Sequence, residues 1–273
     1  MSIKQPGEQQ MKASGAIGKE ENIAQFGPPV FNDIKQKQNY HKQRLAASFR
    51  LFAHYGFDDG LAGHITVRDA IETDTFWVNP LGIHFANICA SDLVRMNHSG
   101  QIVEGEGLVN TAAFMIHSRI HAADSEINAV AHAHSKFGKA WSTQGRLLEP
   151  TTQDACLFYE AHSVFSNFTG VVHEQSEGEA IVAAMNEGDV AVILQNHGLL
   201  TVGKDVDTAV SLFVQLERAC ENQLLIDQSQ SKQLISEDVA RKTRQFIGSD
   251  LVIWGSFQPL YQLIESLDSS FKN

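Results

Sequence analysis

INAVAHAH, residues 127–134, is the stretch on which the reading of the fold turns. Successive side chains of a strand point to opposite faces, so His132 and His134 emerge on one side with Val130, while Ala129, Ala131 and Ala133 line the other. Two imidazoles at this spacing suit a metal ion, and the alanines allow close packing behind them. A catalytic metal site typically takes three protein ligands and leaves one position for water or substrate. His197 is the candidate third ligand, because Asn196-His197-Gly198 interrupts a second apolar run at residues 190–194. By spacing alone the triad is either a metal site or a set of hydrogen-bonded histidines, since isolated H-x-H pairs are common without metal. His117 and His121 stand at i, i+4 on a helical segment, but no Glu follows His117 as the zinc-protease motif requires; they read as a helix face near the sheet.

Working outward, Asn110 caps a helix through about residue 123, and residues 190–194 and 199–202 read as strands around the Asn-His-Gly break. A long helix follows over about 206–225. Upstream, apolar periodicity predicts a helix from Gln38 that stops at Gly56, strands within residues 60–68 and 76–78, a short helix after Ser91, and a turn at residues 97–100 into another strand. Ser176 and Glu179 form a capping box for a helix that ends at Gly188, and two more helices are expected over 239–247 and 259–267. Residues 1–37 are polar and without apolar period, and are expected to be a flexible arm. Residues 38–273 then form a single α/β domain with a helical C-terminal extension.

The 273 residues are 43% hydrophobic and carry a formal charge of −11, with no basic stripe, so nucleic acid is not an expected partner. No apolar run approaches membrane-span length, and the N-terminus lacks the apolar core of a secretory signal, which leads us to expect a cytoplasmic protein with no membrane association. Three widely spaced cysteines do not make a disulfide framework, and Cys156 reads as a packed thiol. Gly105-Glu106-Gly107 is not a nucleotide loop, and no G-x-S-x-G elbow occurs.

Several segments together resemble the class II aldolase/adducin family: IHSRIHAADSEINAVAHAHSKFGKAWS, AVILQNHGLLTVG, the helix containing ERACENQ, and the earlier GLAGHITVRD and FWVNPLGI. The resemblance spans residues 40–230 and implies a three-layer α/β/α domain with a mostly antiparallel central sheet. It further implies a homotetramer with sites at subunit interfaces, and metal ligation by His132, His134 and His197. A divalent ion follows, zinc first, with iron(II), manganese or cobalt as alternatives. Gly63, Gly82 and Thr111 match positions that border the substrate.

The departures from the family pattern bear on function. Family aldolases carry a serine-serine-glutamate segment where this chain has Thr111, Ala112 and Ala113, so the usual proton-transferring carboxylate is absent. Losing a general base costs about 10²- to 10⁴-fold in rate. His64 stands where sugar-phosphate members carry Asn, and Leu81 where a hydroxyl is expected. These changes point away from phosphate and toward a small carbonyl or hydroxy-acid substrate. His64 is the candidate substitute acid or base; Glu104, Glu106 or a neighbouring subunit are other sources of the lost carboxylate.

Three functions are consistent with this pattern. One is a metal-dependent carbon–carbon lyase for a non-phosphorylated 2-oxo or 2-hydroxy acid. Another, resembling the non-haem iron oxygenases of aminocoumarin pathways, is oxidative decarboxylation of an aryl 2-oxo acid, with aromatics around Phe137, Trp141, Phe158 and Tyr159 near the substrate. The last is a non-catalytic, adducin-like oligomerisation module.

Overall fold

The computed structural model describes residues 19, 22, 25–170, 175–229 and 231–273; most of the expected flexible arm lies outside them. Along the chain run α1 (Ile34–Tyr55), β1 (His64–Arg68), β2 (Thr75–Val78), β3 (Val94–Asn97), β4 (Ile102–Glu104), α2 (Thr111–Ala123), β5 (Ala129–Ala133) and α3 (Lys136–Ser142). They are followed by β6 (His162–Phe165), α4 (Gln175–Ala184), β7 (Ala191–Leu194), β8 (Gly198–Gly203), α5 (Val206–Ile226), α6 (Glu237–Ile247) and α7 (Asp250–Leu267).

The strands form one sheet in the order β4-β3-β2-β1-β5-β8-β7-β6, antiparallel throughout except for the β6/β7 pair. Strand alternation sorts its two faces. Ile65, Val67, Ala129, Ala131 and Ala133 pack with Leu45 and Phe49 of α1, Leu212 and Phe213 of α5 and Phe257 of α7. Val130, Leu200 and Val202 face the other way, against Ile116 and Ile120 of α2 and Ile181 of α4. Helices therefore cover both faces, giving the three-layer α/β/α arrangement. Each buried large apolar side chain contributes about 1.5–3 kcal/mol, and the alanines of β5 let α5 approach the strand that carries the histidines.

Local signals explain most element ends. Asn110 caps α2 by accepting from the Ala112 N–H at 2.9 Å, and Gly56 ends α1 in the left-handed region at φ 71°. Several boundaries differ from expectation, among them the end of α4, which closes at Ala184 and not at Gly188. The first helix starts at Ile34 because the Asp33 side chain accepts from the Lys35 N–H, so residues 34–37 belong to α1. Around Ser91 there is a 3₁₀ turn, Ala90–Asp92, and β3 follows it in place of the expected helix. α4 already includes Gln175, so Ser176 lies inside its first turn and is not the cap. α7 begins at Asp250 and carries Pro259 in its interior, since the apolar series Ile253, Trp254, Phe257 and Ile264 buries one continuous stripe.

Candidate metal centre

His132 and His134 leave the end of β5 on one face, as strand alternation requires. Beside them β7 and β8 form a hairpin in which Leu194 pairs with Gly198, leaving Gln195, Asn196 and His197 as its loop. Asn196 takes the left-handed conformation at φ 59°, which Asn tolerates better than most residues, and the turn swings His197 toward β5. The three imidazoles converge: their ligand atoms all lie within 4.8 Å of one another. Gly198 makes this approach feasible, because a Cβ there would sit 2.9 Å from the Ala133 carbonyl oxygen. His132 donates from Nδ1 to the Leu199 carbonyl at 2.8 Å, which fixes its tautomer and leaves Nε2 as a lone-pair donor.

The electrostatics favour neutral rings. Burial, reinforced by the neighbouring imidazoles, holds His132 well below the ordinary histidine range. Burial followed by the proximity of His134 pushes His197 down to about 4. His134 is lowered by burial and by Lys139, with Asp59 opposing. Neutral imidazole is the metal-ligating form, so three neutral rings, one braced by a carbonyl, make a donor set that fits zinc, iron(II) or cobalt.

Glu217 of α5 braces the segment that follows His134. Its carboxylate is buried and accepts from Ser135 Oγ at 2.5 Å, from the Phe137 N–H at 2.8 Å and from the Gly138 N–H at 2.7 Å. These donors open α3, so the carboxylate caps a helix from 80 residues away in sequence. Glu217→Ala leaves them without an acceptor and is expected to destabilise the protein by about 3 kcal/mol, read as a lower urea midpoint at unchanged slope, with Glu217→Gln intermediate.

Residues 43–224 match the Class II Aldolase and Adducin N-terminal domain. The chain belongs to the class II aldolase/adducin family. It is 45% identical over 237 residues to decarboxylase NovR of Streptomyces niveus, covering 86% of this chain and 87% of the relative. It is 44% identical over 237 residues to the 4-hydroxy-3-prenylphenylpyruvate oxygenase/4-hydroxy-3-prenylbenzoate synthase of Streptomyces roseochromogenus subsp. oscitans, covering 86% and 85%. Its fold matches L-fuculose 1-phosphate aldolase from Glaciozyma antarctica PI12 with a TM-score of 0.83 at 37% identity, over 96% of this chain and 97% of the other. Class II aldolases are typically dependent on a divalent metal.

Within this family frame the remaining positions fall at the same end of the sheet. Gly63 immediately precedes β1, and its φ of 95° lets the chain pass the His132 carbonyl. Gly82 follows β2 at φ 87° with open space where a side chain would lie. Thr111 begins α2 and is exposed. Two hydrogen bonds join these segments: Asn110 donates from Nδ2 to the Leu61 carbonyl at 3.1 Å, and the Leu81 N–H donates to the Leu108 carbonyl at 2.7 Å.

Ala113, where aldolases of the family carry Glu, is buried with Phe76, Val78 and Phe114. Glu104 lies on the edge strand β4 and pairs with Arg95 at 3.1 Å, three strands away from β1 of the same chain. Glu106 is exposed in the β4–α2 loop. Trp141 and Phe158 are fully buried in the core cluster shared with α5, on the face opposite Val130.

His64 is buried and pairs across the β1/β5 register with His132, their ring centroids 4.9 Å apart. Its Nδ1 lies 2.8 Å from His117 Nε2. Thr66, His117 and His121 were not expected to meet the site. The available signal was the coincidence of two periods: His64 and Thr66 alternate onto the face of β1 that meets α2, and His117 and His121 are one helical turn apart.

Proposed function

We propose that the chain is a metal-dependent enzyme that cleaves a carbon–carbon bond in a non-phosphorylated 2-oxo or 2-hydroxy acid. The convergence of His132, His134 and His197, with one ring braced by a backbone carbonyl, carries this reading. These three residues would hold the ion, zinc by preference and iron(II), manganese or cobalt as alternatives. When bound, the ion supplies a Lewis acid for a substrate carbonyl.

The chain's own residues do the rest. Gly63 and Gly82 leave room at the backbone, Thr111 presents a hydroxyl at the start of α2, and His64 offers the imidazole next to the cluster. Ala113 removes the proton-transferring group of sugar-phosphate aldolases, and Leu81 removes a hydroxyl for phosphate. The similarity to a named decarboxylase supports loss of CO₂ as the bond-breaking outcome. We further propose a cytoplasmic homotetramer in which a neighbouring subunit completes each site. Among the described residues no helix is long and apolar enough to cross a membrane.

A second reading, oxidative decarboxylation of an aryl 2-oxo acid, is supported by the similarity to a named oxygenase. One experiment separates the readings: metal content is measured on protein purified without added metal, then CO₂ release from an aryl 2-oxo acid is followed with and without oxygen. Release that is independent of oxygen supports the lyase. Stoichiometric iron with oxygen consumed in step supports the oxygenase. Failure to take up any metal overturns both and leaves the adducin-like scaffold. Cleavage of fuculose 1-phosphate in preference to 2-oxo acids overturns the proposed loss of phosphate recognition.

A further inference from the structure

Behind the metal centre a buried chain of hydrogen bonds links three histidines that are not part of the metal cluster. His64 Nδ1 meets His117 Nε2, His117 Nδ1 meets Thr66 Oγ1, and Thr66 Oγ1 meets His121 Nε2, each at 2.8 Å. The chain ends where His121 Nδ1 meets the Ile127 carbonyl at 3.2 Å. All four side chains are almost entirely excluded from solvent.

The direction of every bond follows from counting hydrogens. A carbonyl oxygen only accepts, so His121 must donate from Nδ1. A neutral His121 then has only a lone pair on Nε2, and Thr66 must donate its single hydroxyl hydrogen there. Thr66 Oγ1 is left to accept, so His117 donates from Nδ1 and carries a bare Nε2. That lone pair requires His64 to donate from Nδ1, which leaves His64 Nε2 without a hydrogen. Among the described residues no hydrogen bond uses His64 Nε2.

Reversing the chain would need an imidazolium at His121. Burial, the adjacent Arg68 guanidinium and His98 all oppose that charge, with the ring pushed down to about 3, while the Ile127 carbonyl is too weak a counterweight. Arg68 also donates to the carbonyls of His121 and Ile127, at 2.6 and 3.1 Å. A carbonyl cannot pass a proton on, so the chain is a lock on ring orientation and not a proton wire to solvent.

We propose that Thr66, His117 and His121 are positioning residues that hold His64 in its Nδ1–H tautomer, so that the His64 ring presents a hydrogen-bond acceptor beside the three-histidine cluster. Resting on the function proposed above, the consequence is a preference for ligands that bring a hydroxyl hydrogen to that point, namely a 2-hydroxy acid or the enol of a 2-oxo acid.

The test reads the tautomers directly. In long-range ¹H–¹⁵N correlation spectra of the purified protein, zinc-exchanged if it carries iron, His64 is expected to show a protonated Nδ1 and a bare Nε2. Thr66→Val, isosteric and suited to a strand, should leave His64 and His117 as mixtures of tautomers, and Thr66→Ser should restore the single form. Calorimetry should show Thr66→Val weakening an unreactive aryl 2-hydroxy acid at least about 2-fold, as the acceptor tautomer of His64 falls to half or less, with Thr66→Ser near wild type. A protonated Nε2 on wild-type His64 overturns the lock without any variant. A His64 signal unchanged in Thr66→Val overturns the role of Thr66. If the tautomers are as stated but neither hydroxy nor oxo acid binds, the lock stands and the proposed substrate class fails.

Discussion

His134→Ala and His197→Ala are each expected to lower affinity for a divalent metal by more than about 100-fold. Loss of an outer-shell partner alone typically costs 10- to 100-fold, and here a ligand itself is removed from a set of three. Both rings come from segments that other contacts hold in place: His134 precedes the Glu217-capped start of α3, and His197 sits in the β7/β8 hairpin loop. His121→Ala, which removes the far end of the hydrogen-bonded chain, should leave metal content unchanged. Competition with a chromophoric chelator measures both effects. Full retention of metal by His197→Ala would remove that residue from the ligand set.

Asp207→Ala is expected to give the largest loss of stability, about 3–5 kcal/mol. Arg44 of α1 and Asp207 of α5 form a bidentate pair at 2.7 and 2.6 Å, and both are buried. Gln258 of α7 bonds to both partners, accepting from Arg44 and donating to Asp207, each at 3.0 Å. The guanidinium also lies 3.7 Å from the centre of the Tyr261 ring. Three helices of one layer thus meet at a single ion pair. Removing the carboxylate leaves a buried cation that cannot lose its proton without its charged partner. Replacing both partners together by apolar residues of similar volume should cost far less, because the expensive species is the unpaired buried charge. Urea unfolding of the single and double variants measures the difference, and similar losses in both would show that packing, not charge, dominates at this junction.

Much of the fold was legible from local pattern. Period-two alternation put His132 and His134 on one face and the alanines on the other, and Asn110 and Gly56 mark ends that follow from capping chemistry. Elements that escaped were weak in just those signals. β6 is four residues long, and only the first half of α7 escaped, because its buried stripe carries the helix through Pro259 and outweighs the lost hydrogen bond. The Asn196-His197-Gly198 break and then the resemblance to the family joined His197 to the other two histidines on paper, and the hairpin of β7 and β8 shows how the backbone does it.

What the sequence determined by itself was the set of groups available: three histidines in strand and turn contexts, no carboxylate at Ala113, and two helical histidines without an evident task. Only the tertiary structure decided which groups meet. Pairing β1 beside β5 places His64 next to His132, and docking α2 over β1 brings His117 and His121 onto Thr66. Glu217 reaches the start of α3 only because α5 lies along β5. Periodicity and capping act within a few residues and so can be read along the chain. These contacts join residues about 50 to 80 positions apart, and they form only when burial of the apolar faces brings strand and helix together.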